Sequence, residues 1–294
     1  MAISDLTPQA ITLDSGVVIH YVREGTGPTV IFIHGAMGDW RSWEKQWPAF
    51  TADHDCLAVS CRFSFPNPNT MASPDHSALD DATDVEGLMD ALGIERAILI
   101  GSSYGGFASL ALALRRPERV RAVVAVEPPM MKYAQMFPDT APVAARFHAA
   151  TVVPSREAFE RGDDQTGATL LTGGIANQDP ASLDPTVMAR RRQNILAARR
   201  IALSSDEFPL LDPAGLAALP MPVLLLTGRN TGPIFKAIIS GITRVMTKAR
   251  LETVDGAGHG VSIEQPEAFN TLVRGFLASS VGTRETGKEP PRGS

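Results

Sequence analysis

Short hydrophobic runs alternate with helical patterns over the first 126 residues of the chain. The runs at residues 29–33, 55–60, 97–102 and 120–126 are typical of strands that are buried on both faces of a parallel sheet. Helical periodicity separates them, for example from Ser77 to a stop signal at Gly93. This alternation predicts an α/β fold with a doubly wound, mostly parallel sheet.

The alternation stops at residues 128–219, which contain helical segments, proline and glycine patches and no strong strand pattern. Strand patterns return at residues 223–227 and 250–254, and a last helix is expected at residues 265–278. The middle segment is therefore an insertion between two strands of one sheet. Such an insertion can fold as a lid over the edge where open α/β sheets bind ligands.

These patterns divide the chain into three parts. Residues 1–127 and 220–280 are predicted to form one α/β core, and residues 128–219 a helical cap. Residues 281–294 are polar and contain glycine and proline, which predicts a disordered tail.

A candidate nucleophile lies where the third of the buried runs meets the following helix. The segment Gly101-Ser102-Ser103-Tyr104-Gly105 matches G-x-S-x-G in the strand–turn–helix context that this motif requires. A nucleophilic serine must sit in a sharp turn with its hydroxyl exposed, and side chains two residues before and after it would collide there. We therefore predict Ser103 as the nucleophile.

Two further glycine-rich loops follow predicted strands. The loop after residues 29–33 carries Ala36, whose backbone N–H, with that of Tyr104, is predicted to hold a developing oxyanion. His34 in that loop is expected to be structural. The loop after the last strand carries His259, which is predicted to be the general base for Ser103.

Together these three motifs resemble the α/β-hydrolase superfamily, and the similarity covers about residues 10–280. The resemblance implies an eight-stranded sheet, a helical cap at residues 128–219 and a Ser-acid-His triad. Most of the family carry the acid in a loop that corresponds here to residues 227–233, and this segment has no carboxylate. Certain dehalogenases and the zearalenone-type lactonases are similar in carrying it after the strand that follows the nucleophile helix, where this chain has Glu127.

Glu127 is accordingly the predicted acid, and Asp255 is the alternative. Chain order from Ser103 through Glu127 to His259 follows that of the family. A carboxylate at the end of a central strand is costly unless it is paired, which also favours a partner such as His259.

The predicted reaction is hydrolysis of a carboxylic ester or lactone of an apolar small molecule through an acyl-enzyme, without metal or organic cofactor. Other uses of the same triad stay open: C–C bond hydrolysis, a lyase or haloperoxidase reaction, or biosynthetic cyclisation or acyl transfer. A non-catalytic binding protein of the same fold is the third hypothesis. Large apolar side chains near the expected entrance are candidate substrate contacts, although at least half of those in the cap are expected to form its own core: Trp40, Met130, Met131 and Tyr133.

Composition narrows the set of partners. The net charge is −5 and the pI is about 5.7, which gives no electrostatic basis for binding nucleic acid or an anionic membrane. Cys56 and Cys61 are expected to be unlinked thiols. With no signal peptide or membrane span expected, the predicted protein is cytoplasmic and a monomer or homodimer. The basic residues at 190–192 and 199–200 are interpreted as a solvated helix face.

Overall fold

The structure is a computed structural model that describes residues 2–73 and 75–280. The predicted disordered tail at residues 281–294 lies outside the described residues. The described strands form one eight-stranded sheet in the order β1-β2-β4-β3-β5-β6-β7-β8. In chain order they are β1 (Gln9–Thr12), β2 (Val18–Glu24), β3 (Thr29–Ile33), β4 (Asp55–Val59), β5 (Ala97–Ser102), β6 (Val120–Val126), β7 (Val223–Gly228) and β8 (Arg250–Val254).

The strands from β3 to β8 follow the predicted runs to within one residue at each end, and the sheet from β4 to β8 is parallel throughout. Strands β1 and β2 form a hairpin that adds an antiparallel edge to β4. The sheet is therefore mostly parallel, as the hydrophobic pattern predicts.

Helices cover both faces of the sheet and fill the segment between β6 and β7. Those of the sheet region are α1 (Trp47–Phe50), α2 (Ala78–Ala91), α3 (Tyr104–Arg115), α11 (Pro233–Val245), α12 (Val261–Glu264) and α13 (Pro266–Ser280). Those between β6 and β7 are α4 (Met131–Gln135), α5 (Ala141–Phe147), α6 (Val153–Glu160), α7 (Asp164–Ala176), α8 (Pro185–Gln193), α9 (Ile195–Leu203) and α10 (Pro213–Ala217). No helix of the described residues combines the length and hydropathy needed to cross a bilayer.

Local sequence explains where several of these helices begin. Ser77 caps α2, because its hydroxyl accepts from the Leu79 N–H while Asp80 accepts from the Ser77 N–H. Residues 40–50 form a short 3-10 turn, Trp40–Trp43, followed by α1. Pro48 in the first turn of α1 explains the break, since proline has no N–H to continue the preceding turn.

Side chains of the central strands alternate between two hydrophobic clusters. In β3, Ile31 and Ile33 pack with residues of α2, α3 and α11 on one face. Val30 and Phe32 pack on the other face with aromatic residues of α1 and α13. A third, smaller cluster joins α6, α7 and α9 to Met37 from the loop after β3. The helices between β6 and β7 therefore pack against the carboxyl edge of the sheet.

Strand register brings three loops together at that edge. Ser102 of β5 is level with Val126 of β6, which in turn is level with Leu226 of β7. The next residues therefore leave neighbouring parallel strands at the same height. Backbone hydrogen bonds continue past the strand ends, from the Ser103 N–H to Val126 O (2.7 Å) and from the Glu127 N–H to Leu226 O (3.0 Å).

The turn between β5 and α3 leaves no space for side chains on either side of Ser103. A Cβ atom at Gly101 would lie 2.1 Å from Gly105 O, and one at Gly105 would lie 2.1 Å from Ile33 O. Both neighbouring atoms belong to the backbone, so neither can rotate away. The close contact of α3 with β3 therefore depends on glycine at both positions.

Replacing Gly105 by alanine should lower the free energy of unfolding by about 3 kcal/mol or more, because the new methyl group overpacks against β3. Gly275 is the matched control, since it is also helical but exposed, and a Cβ added there would have nothing within 4 Å. Gly275→Ala should stabilise the protein by about 0.5–1 kcal/mol. Chemical denaturation measures both, and equal effects of the two substitutions would contradict the assigned contact.

Candidate active site

Ser103 occupies the turn between β5 and α3 in a strained backbone conformation, with φ 48° and ψ −112°. A non-glycine residue adopts a positive φ only when its surroundings enforce it, and such residues cluster at functional sites. The side chain is nearly buried, yet it lines two cavities at the carboxyl edge of the sheet. Ser103 thus lies where a bound molecule can reach its hydroxyl.

Glu127, directly after β6, also has a positive φ, of 42°, and its side chain has no solvent exposure. Its two carboxylate oxygens receive four hydrogen bonds. Oε1 accepts from the Thr227 hydroxyl (2.7 Å) and the Gly228 N–H (2.9 Å). Oε2 accepts from the Thr231 hydroxyl (2.8 Å) and lies 2.6 Å from His259 Nδ1. Burial of this carboxylate is therefore compensated by four donors.

His259 is held by contacts with a carboxylate and an aromatic ring. Its Nδ1 faces Glu127, which leaves Nε2 as the ring nitrogen available for other contacts. The ring stacks on Phe235 of α11, with centroids 3.8 Å apart and planes inclined by 23°. His259 and Ser103 line the same cavity. The structure therefore brings the predicted nucleophile, acid and base to one edge of the sheet.

The alternative acid, Asp255, lies elsewhere. It forms an ion pair with Arg229, and both side chains are more than half exposed. The loop in which most relatives place the acid supplies donors instead, since Thr227, Gly228 and Thr231 all bind Glu127. Glu127, and not Asp255, is therefore the carboxylate in contact with His259.

The loop after β3 packs directly against the nucleophile. A Cβ at Gly35 would lie 3.5 Å from Ser103 Cβ, which shows how closely the two loops approach. No acceptor among the described residues binds the backbone N–H of Ala36 or that of Tyr104. Two free N–H groups beside Ser103 form the kind of arrangement that can bind an oxyanion.

The His34 side chain connects the loop after β3 to the segment after β4. Its Nδ1 lies 2.7 Å from Gly35 O, and its Nε2 accepts from the Cys61 N–H (2.9 Å). Burial lowers the pKa of His34, which agrees with a neutral ring that donates from one nitrogen and accepts at the other. The side chain lines neither cavity at Ser103.

The first cavity at Ser103 has a volume of about 320 Å³ and lies between α3, α11 and the helices that precede β7. Its wall is mainly apolar and includes Met131, Phe147, Leu171, Ile201, Phe208 and Phe235. The second cavity, of about 590 Å³, is more polar and includes Ser42, Thr172, Arg191, Asn230, His259 and Glu264. Volumes of this size are typical of small-molecule sites.

Of the four predicted substrate contacts, Met131 lines the first of these two cavities and the other three line neither. The prediction is wrong for Trp40, Met130 and Tyr133, which are almost fully buried in the two large hydrophobic clusters. The Tyr133 hydroxyl donates to Leu211 O (2.8 Å), so its polar end also has an internal partner. Adjacent positions of a short helix point in different directions, and the sequence does not show which of Met130 and Met131 faces the cavity.

A buried charged cluster beside Tyr104 was not predicted. Arg200 Nη1 donates to the Tyr104 hydroxyl (2.7 Å) and to Glu207 Oε1 (2.6 Å), and it lies 3.7 Å from Asp81 Oδ2. The Tyr104 hydroxyl donates to Asp81. The interpretation of residues 199–200 as a solvated face is therefore wrong for Arg200, which is 2% exposed.

Burial and neighbouring charges shift the pKa values of the two carboxyl groups in this cluster. Burial raises the pKa of Glu207 to about 8, although Arg200 opposes the shift. Burial also disfavours the Asp81 carboxylate, but its hydrogen bond with His76 and the charge of Arg200 hold its pKa well below its usual value. A sequence signal for Asp81 existed, because it lies on the apolar face of α2 with Ala78, Ala82 and Val85.

Arg191 also departs from the predicted solvated helix face. It is half-buried, and its Nη1 donates to Ala36 O (2.7 Å). Burial lowers its pKa to about 10. Arg191 therefore connects α8 to the loop after β3 instead of facing solvent.

Comparison with known proteins agrees with this fold. Residues 30–272 match the model of the Alpha/beta hydrolase family. The chain belongs to the alpha/beta hydrolase family. It is accordingly a hydrolase-fold enzyme with the eight-stranded sheet that its sequence predicts.

Relatives in this family carry different hydrolase names. The chain is 27% identical over 259 residues to the sn-1-specific diacylglycerol lipase ABHD11 of Mus musculus, covering 87% of this chain and 82% of that protein. It is 28% identical over 276 residues to the 2-hydroxy-6-oxo-6-phenylhexa-2,4-dienoate hydrolase of Burkholderia cepacia, covering 89% and 91%. Among solved structures, the enol-lactonase from Burkholderia xenovorans LB400 is similar in fold, with a TM-score of 0.72, 20% identity and coverage of 92% and 100%.

Proposed function

We propose that this enzyme hydrolyses a carboxylic ester or lactone of an apolar small molecule through an acyl-enzyme, with Ser103, His259 and Glu127 as its catalytic triad. The observation that supports the proposal most strongly is the 2.6 Å contact between His259 Nδ1 and the fully buried carboxylate of Glu127. A histidine that is fixed through Nδ1 presents Nε2 as a base to a serine in the same cavity.

In the first half of the proposed reaction, the Ser103 hydroxyl attacks the carbonyl carbon and His259 Nε2 takes its proton. The carbonyl oxygen becomes an oxyanion that accepts from the N–H groups of Ala36 and Tyr104. Collapse of the tetrahedral intermediate releases the alcohol, which receives its proton from His259, and leaves an acyl group on Ser103. In the second half, His259 takes a proton from water, the resulting hydroxide equivalent attacks the acyl carbon, and Ser103 regains its proton.

Glu127 acts through His259 in this scheme. It accepts from Nδ1, which fixes the tautomer, and its negative charge stabilises the imidazolium that forms when Ser103 gives up its proton. The three other donors to Glu127 hold the carboxylate in place. Its position after β6 therefore serves the same purpose as an acid after β7.

The apolar cavity supports an apolar substrate. Side chains such as Met131 and Phe208 bury hydrocarbon surface next to Ser103. Residues 128–219 are proposed to form a cap over the core of residues 1–127 and 220–280, because Met37 of the core packs with helices of this segment. The names of the mouse lipase and the enol-lactonase also favour ester or lactone chemistry.

C–C bond hydrolysis is the second candidate. It is supported by the similarity to the 2-hydroxy-6-oxo-6-phenylhexa-2,4-dienoate hydrolase and by the second, polar cavity, in which Arg191 lies with His259. An acidic diketone substrate of this kind differs from a neutral ester in charge, so the two candidates can be separated with substrates.

Incubation with a fluorophosphonate probe should label the wild-type protein on Ser103, and the protein should hydrolyse 4-nitrophenyl esters. Both activities should be lost in Ser103→Ala, because the hydroxyl is the group that reacts. Intact-protein mass spectrometry and nitrophenolate release provide the two measurements. Labelling of Ser103 with hydrolysis of the dienoate but of no ester would favour the second candidate, and absence of labelling would refute the triad.

Glu127→Gln should lower kcat for ester hydrolysis by about 10³-fold or more, since a neutral amide neither fixes the correct tautomer nor stabilises the imidazolium. Asp255→Asn removes the alternative acid and should leave kcat within about twofold, as expected for an exposed ion pair. Circular dichroism should show both variants folded. Equal losses, or a loss confined to Asp255→Asn, would contradict the role of Glu127.

A further inference from the structure

Glu207 is a buried carboxylate in the wall of the apolar cavity beside Ser103. It is 6% exposed and lines the cavity with Tyr104 and Phe208. Its Oε1 accepts from Arg200 (2.6 Å), whereas its Oε2 is buried and has no hydrogen-bond partner among the described residues. The carboxylate is therefore only partly satisfied within the protein.

A buried oxygen without a partner lowers stability, so it indicates either a strained group or a place for a ligand. The neighbours of Glu207 do not supply the missing contact. The Tyr104 hydroxyl is already bound to Asp81 and Arg200, and Asp81 cannot donate as a carboxylate. Neither of these two side chains supplies the partner that Oε2 lacks, so a bound molecule can provide it, as a donor to the carboxylate or as an acceptor from the protonated acid.

We propose that Glu207 binds a hydroxyl group carried by the apolar part of the substrate. The inference rests on the proposed function for the presence of an ester or lactone at Ser103, and it narrows that substrate to one whose hydrocarbon or aryl portion bears an alcohol or phenol. The cavity holds about 320 Å³, which accommodates such a group between Phe208 and Met131.

Charge in the cavity wall favours a hydroxyl over an ammonium group. Arg200 already lies 2.6 Å from Glu207 Oε1, so this carboxylate has a cation beside it and lacks only a hydrogen-bond partner at Oε2. A hydroxyl adds no charge and brings both a donor and an acceptor. It can thus donate to the Glu207 carboxylate or accept from the protonated acid.

The strength of this contact should depend on pH. Charged and titratable groups face Glu207 from three elements: Asp81 of α2, Tyr104 of α3 and Arg200 of α9. Burial raises the pKa of Glu207 to about 8, so the carboxylate form grows as pH rises through that value. A hydroxyl binds a carboxylate more strongly than a neutral acid, so the preference for hydroxylated substrates should increase over the same range.

The test compares kcat/KM for matched esters that differ by one hydroxyl. One series contains 4-nitrophenyl 3-phenylpropanoate and the three esters that carry one hydroxyl on its phenyl ring. A second series contains benzyl acetate and the three hydroxybenzyl acetates. The wild-type enzyme should prefer at least one isomer over its parent by about 10- to 100-fold, as expected for a hydrogen bond to an ionisable group. Taking the ratio cancels any pH effect that the two substrates of a pair share.

Three variants test whether Glu207 causes the preference for hydroxylated esters. Glu207→Leu should abolish it, because no acceptor remains. Glu207→Gln should retain part of it but remove its change near pH 8, since an amide hydrogen-bonds without titrating. Asp206→Asn is the matched control, because Asp206 lines the same cavity but is half exposed and pairs with Lys132 (3.2 Å). Its ratio should equal that of the wild type.

Binding provides a readout that does not depend on turnover. Calorimetry with Ser103→Ala should show tighter binding of the preferred hydroxyphenylpropanoate or hydroxybenzyl alcohol than of its parent, and Glu207→Leu in that background should remove the difference. If no ester is hydrolysed but this difference persists, the proposed function fails and the hydroxyl site stands. The site is refuted if the wild type hydrolyses the esters of both series without preferring any hydroxylated ester over its parent. It is also refuted if the preference survives Glu207→Leu, or if the preference of the wild type does not change with pH near 8.

Discussion

The contact between Glu127 and His259 is the interaction around which the rest of the site is arranged. A carboxylate without solvent exposure is stable only when its oxygens are hydrogen-bonded. Three donors from the end of β7 and the following loop, together with His259, meet that requirement. The same four contacts also fix the histidine, so the stability of the buried charge and the orientation of the base have one origin.

Sheet topology makes this arrangement possible. β5, β6 and β7 are adjacent and parallel, so the residues that follow them emerge side by side. Ser103 and Glu127 follow β5 and β6 at the same level, and each has a positive φ that turns the chain sharply. The acid follows β6 here, one strand away from the end of β7, where most of the family carry it. In this chain the end of β7 and the loop after it carry no acid and instead donate three hydrogen bonds to Glu127.

Sequence patterns are most informative where the geometry of a residue depends on its near neighbours in the chain. Ser103 could be predicted because its flanking glycines are required by contacts only a few residues away or with the next strand. Glu127 could be proposed from the missing carboxylate at residues 227–233, but its pairing with Thr227 and Thr231 joins residues about 100 positions apart. No pattern along the chain reports contacts of that kind.

The errors concern the direction in which side chains point. Trp40, Met130 and Tyr133 are large apolar residues near the site, and the same property that suits a substrate contact suits a core position. Arg200 lies in a basic segment that is typical of a solvated helix, yet three partners from separate elements keep it buried. In both cases, contacts with residues distant in sequence decide whether the side chain is buried. Charge and hydropathy along the chain therefore could not predict its direction.

Proton NMR of the resting enzyme tests the central contact most directly. A proton held between His259 Nδ1 and a carboxylate 2.6 Å away should give a strongly deshielded resonance that is slow to exchange with water. The resonance should be present in the wild type and in Asp255→Asn and absent in Glu127→Ala and His259→Ala. A wild-type spectrum without it, or a resonance that persists in folded Glu127→Ala, would contradict the assignment of Glu127 as the partner of His259.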